Sequence, residues 1–149
     1  ALQELGIRFL ENEATEIHLG EDFLSLVGIN APLFQNHGLG SSPYASLEDL
    51  NSGPHTFQIL LAHRPEHFPL YIQHDMDLIF SGHAHGGQVR LPLVGGIVAP
   101  GQGFFPRYDG GLYVEGGSQM VVSRGLGNSL FPLRVFNRPE LVLAILEKE

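Results

Sequence analysis

Two groups of histidines stand directly behind apolar runs, where a fold could bring imidazoles to one point. His63 ends the run Ile59-Leu60-Leu61-Ala62. His83 and His85 lie in Ser81-Gly82-His83-Ala84-His85-Gly86-Gly87, just past Leu78-Ile79-Phe80. Short apolar runs without alternation read as strands buried on both faces. If those strands are parallel, both groups sit at carboxyl ends, where open α/β sheets place their ligands. Residues i and i+2 of extended chain point to the same side, so His83 and His85 are expected to share a pocket. The flanking glycines remove bulk and let a ligand approach the backbone. Three neutral imidazoles suit a transition ion such as Zn, Fe or Mn rather than Ca or Mg.

A lone histidine at a strand end is ordinarily a surface or hydrogen-bonded residue. The Gly-His-x-His-Gly-Gly run, with a third strand-end histidine upstream, is what points to a metal instead. His63 and His67 also mimic a helical His-x3-His pair, but Pro65 between them forces a strand-to-helix change and separates them. His67 and His74 read as exposed helix positions, and His18, His37 and His55 have no partner pattern. A hydrolytic two-metal centre further needs carboxylates to balance charge and bridge the ions. Asp77 begins the strand that His83 follows, which puts it about 20 Å away at the other end of the sheet; Asp75 is removed in the same way. Distance leaves Glu66 and Asp109 open, and their spacing recommends neither.

The elements that must position these residues read as follows. Ala1 to Leu5 is a helix end with Gly6 in the post-helical position. Ile7 to Leu10, Thr15 to Leu19 and Phe23 to Ile29 read as strands, the last two joined by a turn at Gly20-Glu21-Asp22. Residues 30–45 are loop by composition, and Ser46 to Leu50 makes one helical turn. Phe57 to Ala62, a helix from Pro65 to about His74, and Asp77 to Phe80 form a βαβ unit. Gly111 to Glu115 and Gln119 to Arg124 flank Gly116-Gly117-Ser118 as a hairpin, and Glu140 to Leu146 reads as a final apolar strand. The fold class is therefore α/β.

Composition removes several classes of function. Sixteen acidic residues against eight basic ones give a formal charge of −8, which argues against non-specific binding to nucleic acid or an anionic membrane. With 43% hydrophobic and 16% charged residues the chain is not disordered. The absence of cysteine excludes disulfides and thiolate metal sites. No apolar run approaches the ~18–20 residues that cross a bilayer, and no signal peptide is visible. The 149 residues suit one domain or part of one, and the start inside a helix end suggests a chain cut from something longer.

Leu60-Leu61-Ala62-His63-Arg64-Pro65 and Ser81-Gly82-His83-Ala84-His85-Gly86-Gly87-Gln88 resemble the last two metal-binding motifs of the calcineurin-like metallophosphoesterases. Later stretches resemble one bacterial branch of that superfamily: Arg90-Leu91-Pro92-Leu93-Val94-Gly95, Gly103-Phe104-Phe105-Pro106-Arg107-Tyr108-Asp109, Ser123-Arg124-Gly125-Leu126-Gly127 and Asn137-Arg138-Pro139-Glu140. The resemblance implies an α/β sandwich with mixed sheets, and phosphomonoester or phosphodiester hydrolysis by two divalent transition metals (Mn, Fe or Zn). It implies that His63 and His83 ligate one metal and His85 the other. The earlier family motifs, Asp-x-His, Gly-Asp-x-x-Asp and Gly-Asn-His-Glu/Asp, are absent from these residues. Residues 1–149 thus resemble the C-terminal portion of a single such domain, carrying a partial metal site and no catalytic residue of its own.

Several expectations follow from that resemblance. Gly86 and Gly87 would leave room for phosphate, and Arg124 is a candidate substrate contact, with a surface ion pair as its alternative. The fragment would pair with itself or with the missing N-terminal half, and would show little hydrolysis alone. Related bacterial proteins often carry an N-terminal membrane anchor or export signal, so a cytoplasmic and a membrane-associated location both stay open. Two other readings also remain: a non-catalytic folded fragment, and a histidine metal-binding module unrelated to phosphate.

Overall fold

Ile59, Leu60 and Leu78 to Phe80 lie at the middle of the sheet, as their unbroken apolarity requires. The computed structural model describes residues 3–30, 46–53, 56–128 and 133–147. Its strands are β1 (Glu13–Leu19), β2 (Asp22–Gly28), β3 (Gln58–Leu61), β4 (Leu78–Ser81), β5 (Arg90–Leu91), β6 (Gly95–Gly96), β7 (Val98–Ala99), β8 (Gly103–Phe104), β9 (Gly111–Glu115) and β10 (Ser118–Val122). Two helices are α1 (Ser46–Leu50) and α2 (Phe68–Gln73), the latter entered through a 3-10 turn at Pro65–His67. The main sheet runs β1-β2-β3-β4-β10-β9. Its four inner strands are mutually parallel, and each edge is closed by an antiparallel hairpin partner, β1 on β2 and β9 on β10.

The βαβ unit is present, with β3 and β4 as immediate neighbours in the register Ile59 to Leu78 and Leu61 to Phe80. Its helix packs Phe68 and Tyr71 onto one sheet face, where Val27, Leu60, Ile79, Met120 and Val122 complete a fully buried core. Residues alternate across a strand, so the opposite face carries Leu26, Leu61, Phe80 and Val121. The register sets Leu61, Phe80, Val121 and Leu112 in one row with Gly28 opposite Leu61, and Leu26 lies on the same face one pair away. That second face is open: Leu61 is 40% exposed, Leu112 60% and Val114 67%.

Two expected strands do not form. Ile7 to Leu10 runs irregularly, and Leu10 packs so closely against Gly28 that no Cβ would fit there. Residues 140–147 form no strand either; Leu141, Leu143 and Ile145 are mostly exposed. Apolar propensity specifies a strand only where a neighbouring edge supplies the ladder. Ala1, Leu2, His37, His55 and the expected loop from residue 31 to 45 lie outside the described residues. Among the described residues no helix is long and apolar enough to cross a membrane.

Candidate metal centre

The parallel pairing of β3 and β4 carries both histidine motifs to one edge of the sheet. The ladder continues past the strands: Ala62 N–H donates to the Phe80 carbonyl at 3.0 Å, and Gly82 N–H to the His63 carbonyl at 3.3 Å. The backbones of His63 and Gly82 are therefore fixed to each other before either imidazole is considered. Below them, the Tyr71 hydroxyl, fully buried, donates to the Arg64 carbonyl at 2.8 Å and anchors the turn that follows His63.

The imidazoles of His63 and His83 meet. Nε2 of His63 lies 3.0 Å from Nδ1 of His83, with ring centroids 4.6 Å apart. Burial lowers the pKa of His63 below the ordinary 6.5, and the Arg64 guanidinium lowers it further. Burial does the same to His83, followed by the neighbouring His63. Both rings are thus neutral near pH 7 and present lone pairs. Two nitrogens at ~2.0–2.1 Å from one ion and 3.0 Å apart subtend about 90–95° at it. That angle is open to a divalent transition ion, so the pair fits two ligands of one metal. The same distance is also a hydrogen bond between one N–H and one lone pair.

His85 is placed differently. The segment is not extended: His83 has φ 61°, Ala84 is helical and His85 has φ 47°. The i, i+2 argument for a shared pocket therefore does not hold, because it requires an extended chain. His85 is near enough for its charge to lower the pKa of both other histidines. Among the described residues, however, no group of three His, Asp or Glu side chains could hold a metal ion. At the glycines behind it, the space a side chain would take is filled by protein. A Cβ on Gly86 would stand 2.2 Å from Asn137 Oδ1, and one on Gly87 would stand 2.4 Å from Gly96 Cα.

Arg124 lies beside Gly86, with its guanidinium forked onto Glu140 through Nε at 2.8 Å and through Nη2. The carboxylates of Asp77, Asp109 and Glu66 each hold a scaffold partner, while Glu66 Oε2 is buried without a hydrogen bond. Asp77 accepts from the Gln58 backbone at the opposite end of the sheet. Asp109 takes Arg90 Nη1 at 3.0 Å, the Gly96 N–H and the Tyr113 hydroxyl. Glu66 pairs with Arg64 at 3.2 Å and holds Oε1 against Gly101; its charge raises the pKa of His63 and His83 in part. An apolar cleft of about 460 Å³, lined by Phe9, Leu26, Ile29, Leu61 and Phe80, opens beside His63. Sequence reasoning missed Asn137, whose side-chain amide donates to the carbonyls of His85 and Gln88. The Asn-Arg-Pro-Glu stretch marked its place, but no spacing rule links positions 52 residues apart.

Several curated proteins are similar to this chain in sequence. The chain is 36% identical over 142 residues, 95% of its length, to the phosphodiesterase YaeI of Escherichia coli, of which it covers 48%. It is 38% identical over 91 residues, 61% of its length, to the uncharacterized metallophosphoesterase YkuE of Bacillus subtilis, covering 31% of that protein. An uncharacterized metallophosphoesterase of Aquifex aeolicus is 30% identical over 98% of this chain, which covers 53% of it. The chain thus spans about half the length, or less, of the curated relatives it matches. No protein-family model and no solved structure matches it.

Proposed function

This chain belongs to the calcineurin-like metallophosphoesterase superfamily, and from that premise we propose that it forms the histidine-bearing side of a divalent-metal centre that hydrolyses phosphate esters. The observation that carries the reading is the approach of two neutral imidazole nitrogens to 3.0 Å at the carboxyl ends of adjacent parallel strands. His63 and His83 hold one ion, and His85 belongs to a second. Divalent ions supply polarisation of the phosphoryl oxygens and acidification of water to such a reaction. The chain's own part is positional. The β3–β4 ladder aims the two rings, and partial burial lowers the pKa of both. Arg124, already balanced by Glu140, borders the centre and meets a phosphate only by sharing that carboxylate.

The same reading assigns the remaining ligands and the bridging carboxylate to residues other than the described ones, since among those Asp77, Asp109 and Glu66 each hold a scaffold partner. It also accounts for the open sheet face, whose contiguous apolar surface favours a covering layer. That layer is a second copy of the chain or the remainder of a longer domain. The metal reading is tested by calorimetric titration of the chain with Mn²⁺ or Zn²⁺. Binding is expected in the wild type and is expected to fall at least about tenfold in His63→Ala and in His83→Ala. Equal binding by the wild type and the double variant would show that the two rings only hydrogen-bond to each other.

A further inference from the structure

The segment after β4 holds an unusual backbone. His83, His85, Gly86, Gly87 and Gln88 have φ of 61°, 47°, 65°, 72° and 56°. Three of these five are not glycine, and left-handed backbone at such residues persists only where the surroundings enforce it. Part of the enforcement is local: Gly87 N–H donates to the Ala84 carbonyl at 2.8 Å, and Gln88 N–H to the His85 carbonyl at 3.3 Å. The rest comes from a distant stretch of chain. Asn137, 3% exposed, donates from Nδ2 to the His85 carbonyl at 2.6 Å and to the Gln88 carbonyl at 3.1 Å. One planar amide thus ties together the two ends of the Gly86-Gly87 pair. Its Oδ1 packs into the space left by the missing side chain of Gly86 and has no hydrogen-bond partner. Flanking backbone bonds, Arg90 N–H to the Val135 carbonyl at 2.9 Å and Val135 N–H to the Gln88 carbonyl at 3.4 Å, seat Asn137 in register with the loop.

We propose that Asn137 is a positioning residue for His85: its amide, bridging the His85 and Gln88 carbonyls across Gly86-Gly87, fixes the backbone turn from which the His85 imidazole projects. The role demands two N–H donors on one short, uncharged, planar group. Asparagine alone meets this at that reach, since aspartate offers no donor and alanine neither donor nor bulk. The consequence for a metal ligand rests on the function proposed above, whereas the positioning itself does not.

The test uses the isotope-labelled 149-residue chain as wild type, Asn137→Ala and Asn137→Asp, compared by NMR. Without metal, both variants are expected to shift the His85 ring resonances. Amide exchange at Gly87 and Gln88 is expected to speed up at least about tenfold, while amides of β3, β4 and β10 keep their rates. With Mn²⁺ as probe, paramagnetic broadening of the His85 ring is expected to require about tenfold more ion in the variants. Unchanged His85 ring resonances in both variants overturn the proposal. Faster exchange spread equally over the central strands also overturns it, since Asn137 is then a general stability residue. A wild-type His85 that Mn²⁺ does not broaden overturns the metal assignment of His85 alone, and the metal-free comparison still decides the positioning.

Discussion

Replacing Gly87 by alanine tests how rigidly the histidine loop is seated. Gly87 has φ 72°, and an added Cβ would lie 2.4 Å from Gly96 Cα and 2.9 Å from Gly96 C. Carbon atoms rest ~3.5–4.0 Å apart, so the two backbones must part by about 1 Å. They are pinned where they are by Ile97 N–H, which donates to the carbonyls of Gly87 at 3.2 Å and of Val89 at 2.8 Å. The left-handed backbone costs alanine about 1–2 kcal/mol. Overpacking against backbone adds about 1–3 kcal/mol, for a loss of about 2–5 kcal/mol in all. At roughly 2–4 °C per kcal/mol for a chain of this length, the melting temperature falls by about 4–20 °C. Gly20→Ala is the control. Its φ is nearly the same at 68°, but its Cβ would meet nothing within 4 Å, so only the backbone cost applies. Urea and thermal unfolding followed by far-UV circular dichroism measure both variants. Equal losses in the two, within about 0.5 kcal/mol, would refute the close-approach argument and leave backbone conformation as the whole effect.

Other outcomes are expected on the same grounds. Tyr71→Phe removes the part-buried hydrogen bond to the Arg64 carbonyl and is expected to cost about 0.5–1.5 kcal/mol in urea unfolding; a loss below about 0.3 kcal/mol would contradict that. His63 and His83 have folded pKa values below their unfolded 6.5, so the unfolded state binds more protons just below that pH. Stability is expected to fall as pH drops through 6.5 and to level off below the folded values, and His63→Gln with His83→Gln is expected to flatten the slope; a urea midpoint that stays constant between neutral and mildly acidic pH sinks this. The 149-residue chain alone, given Mn²⁺, is expected to hydrolyse a generic aryl phosphodiester barely above the uncatalysed rate, since two clamped ions cannot form on imidazoles alone. Robust turnover by pure protein would reverse that. Sedimentation of the purified chain is expected to show self-association through the open sheet face, and a clean monomer at micromolar concentration would show that the face is stable uncovered.

The apolar runs before His63 and His83 determined much on their own. Two short apolar runs flanking a Pro-initiated helical segment fit a βαβ unit, so β3, α2 and β4 and their parallel sense were legible from residues 57–80. The β1–β2 and β9–β10 hairpins were legible from their glycine turns for a similar local reason. What sequence could not determine was set by contacts between distant segments. Residues 141–147 are as apolar as β3, yet no strand forms there, because a strand depends on a neighbouring edge and not on its own composition. The pairing of His63 with His83 follows from two strands becoming adjacent. The separate placement of His85 follows from left-handed backbone at His83 and His85 that no spacing rule foresees. Gly86 and Gly87 looked like space for a ligand, but tertiary packing filled that space with Asn137 and Gly96. For Arg124 the sequence left a substrate contact and an ion pair both open, and packing supplied Glu140, sixteen positions on, as the ion-pair partner. Local pattern determines which segments need burial, and only packing decides which partners satisfy them.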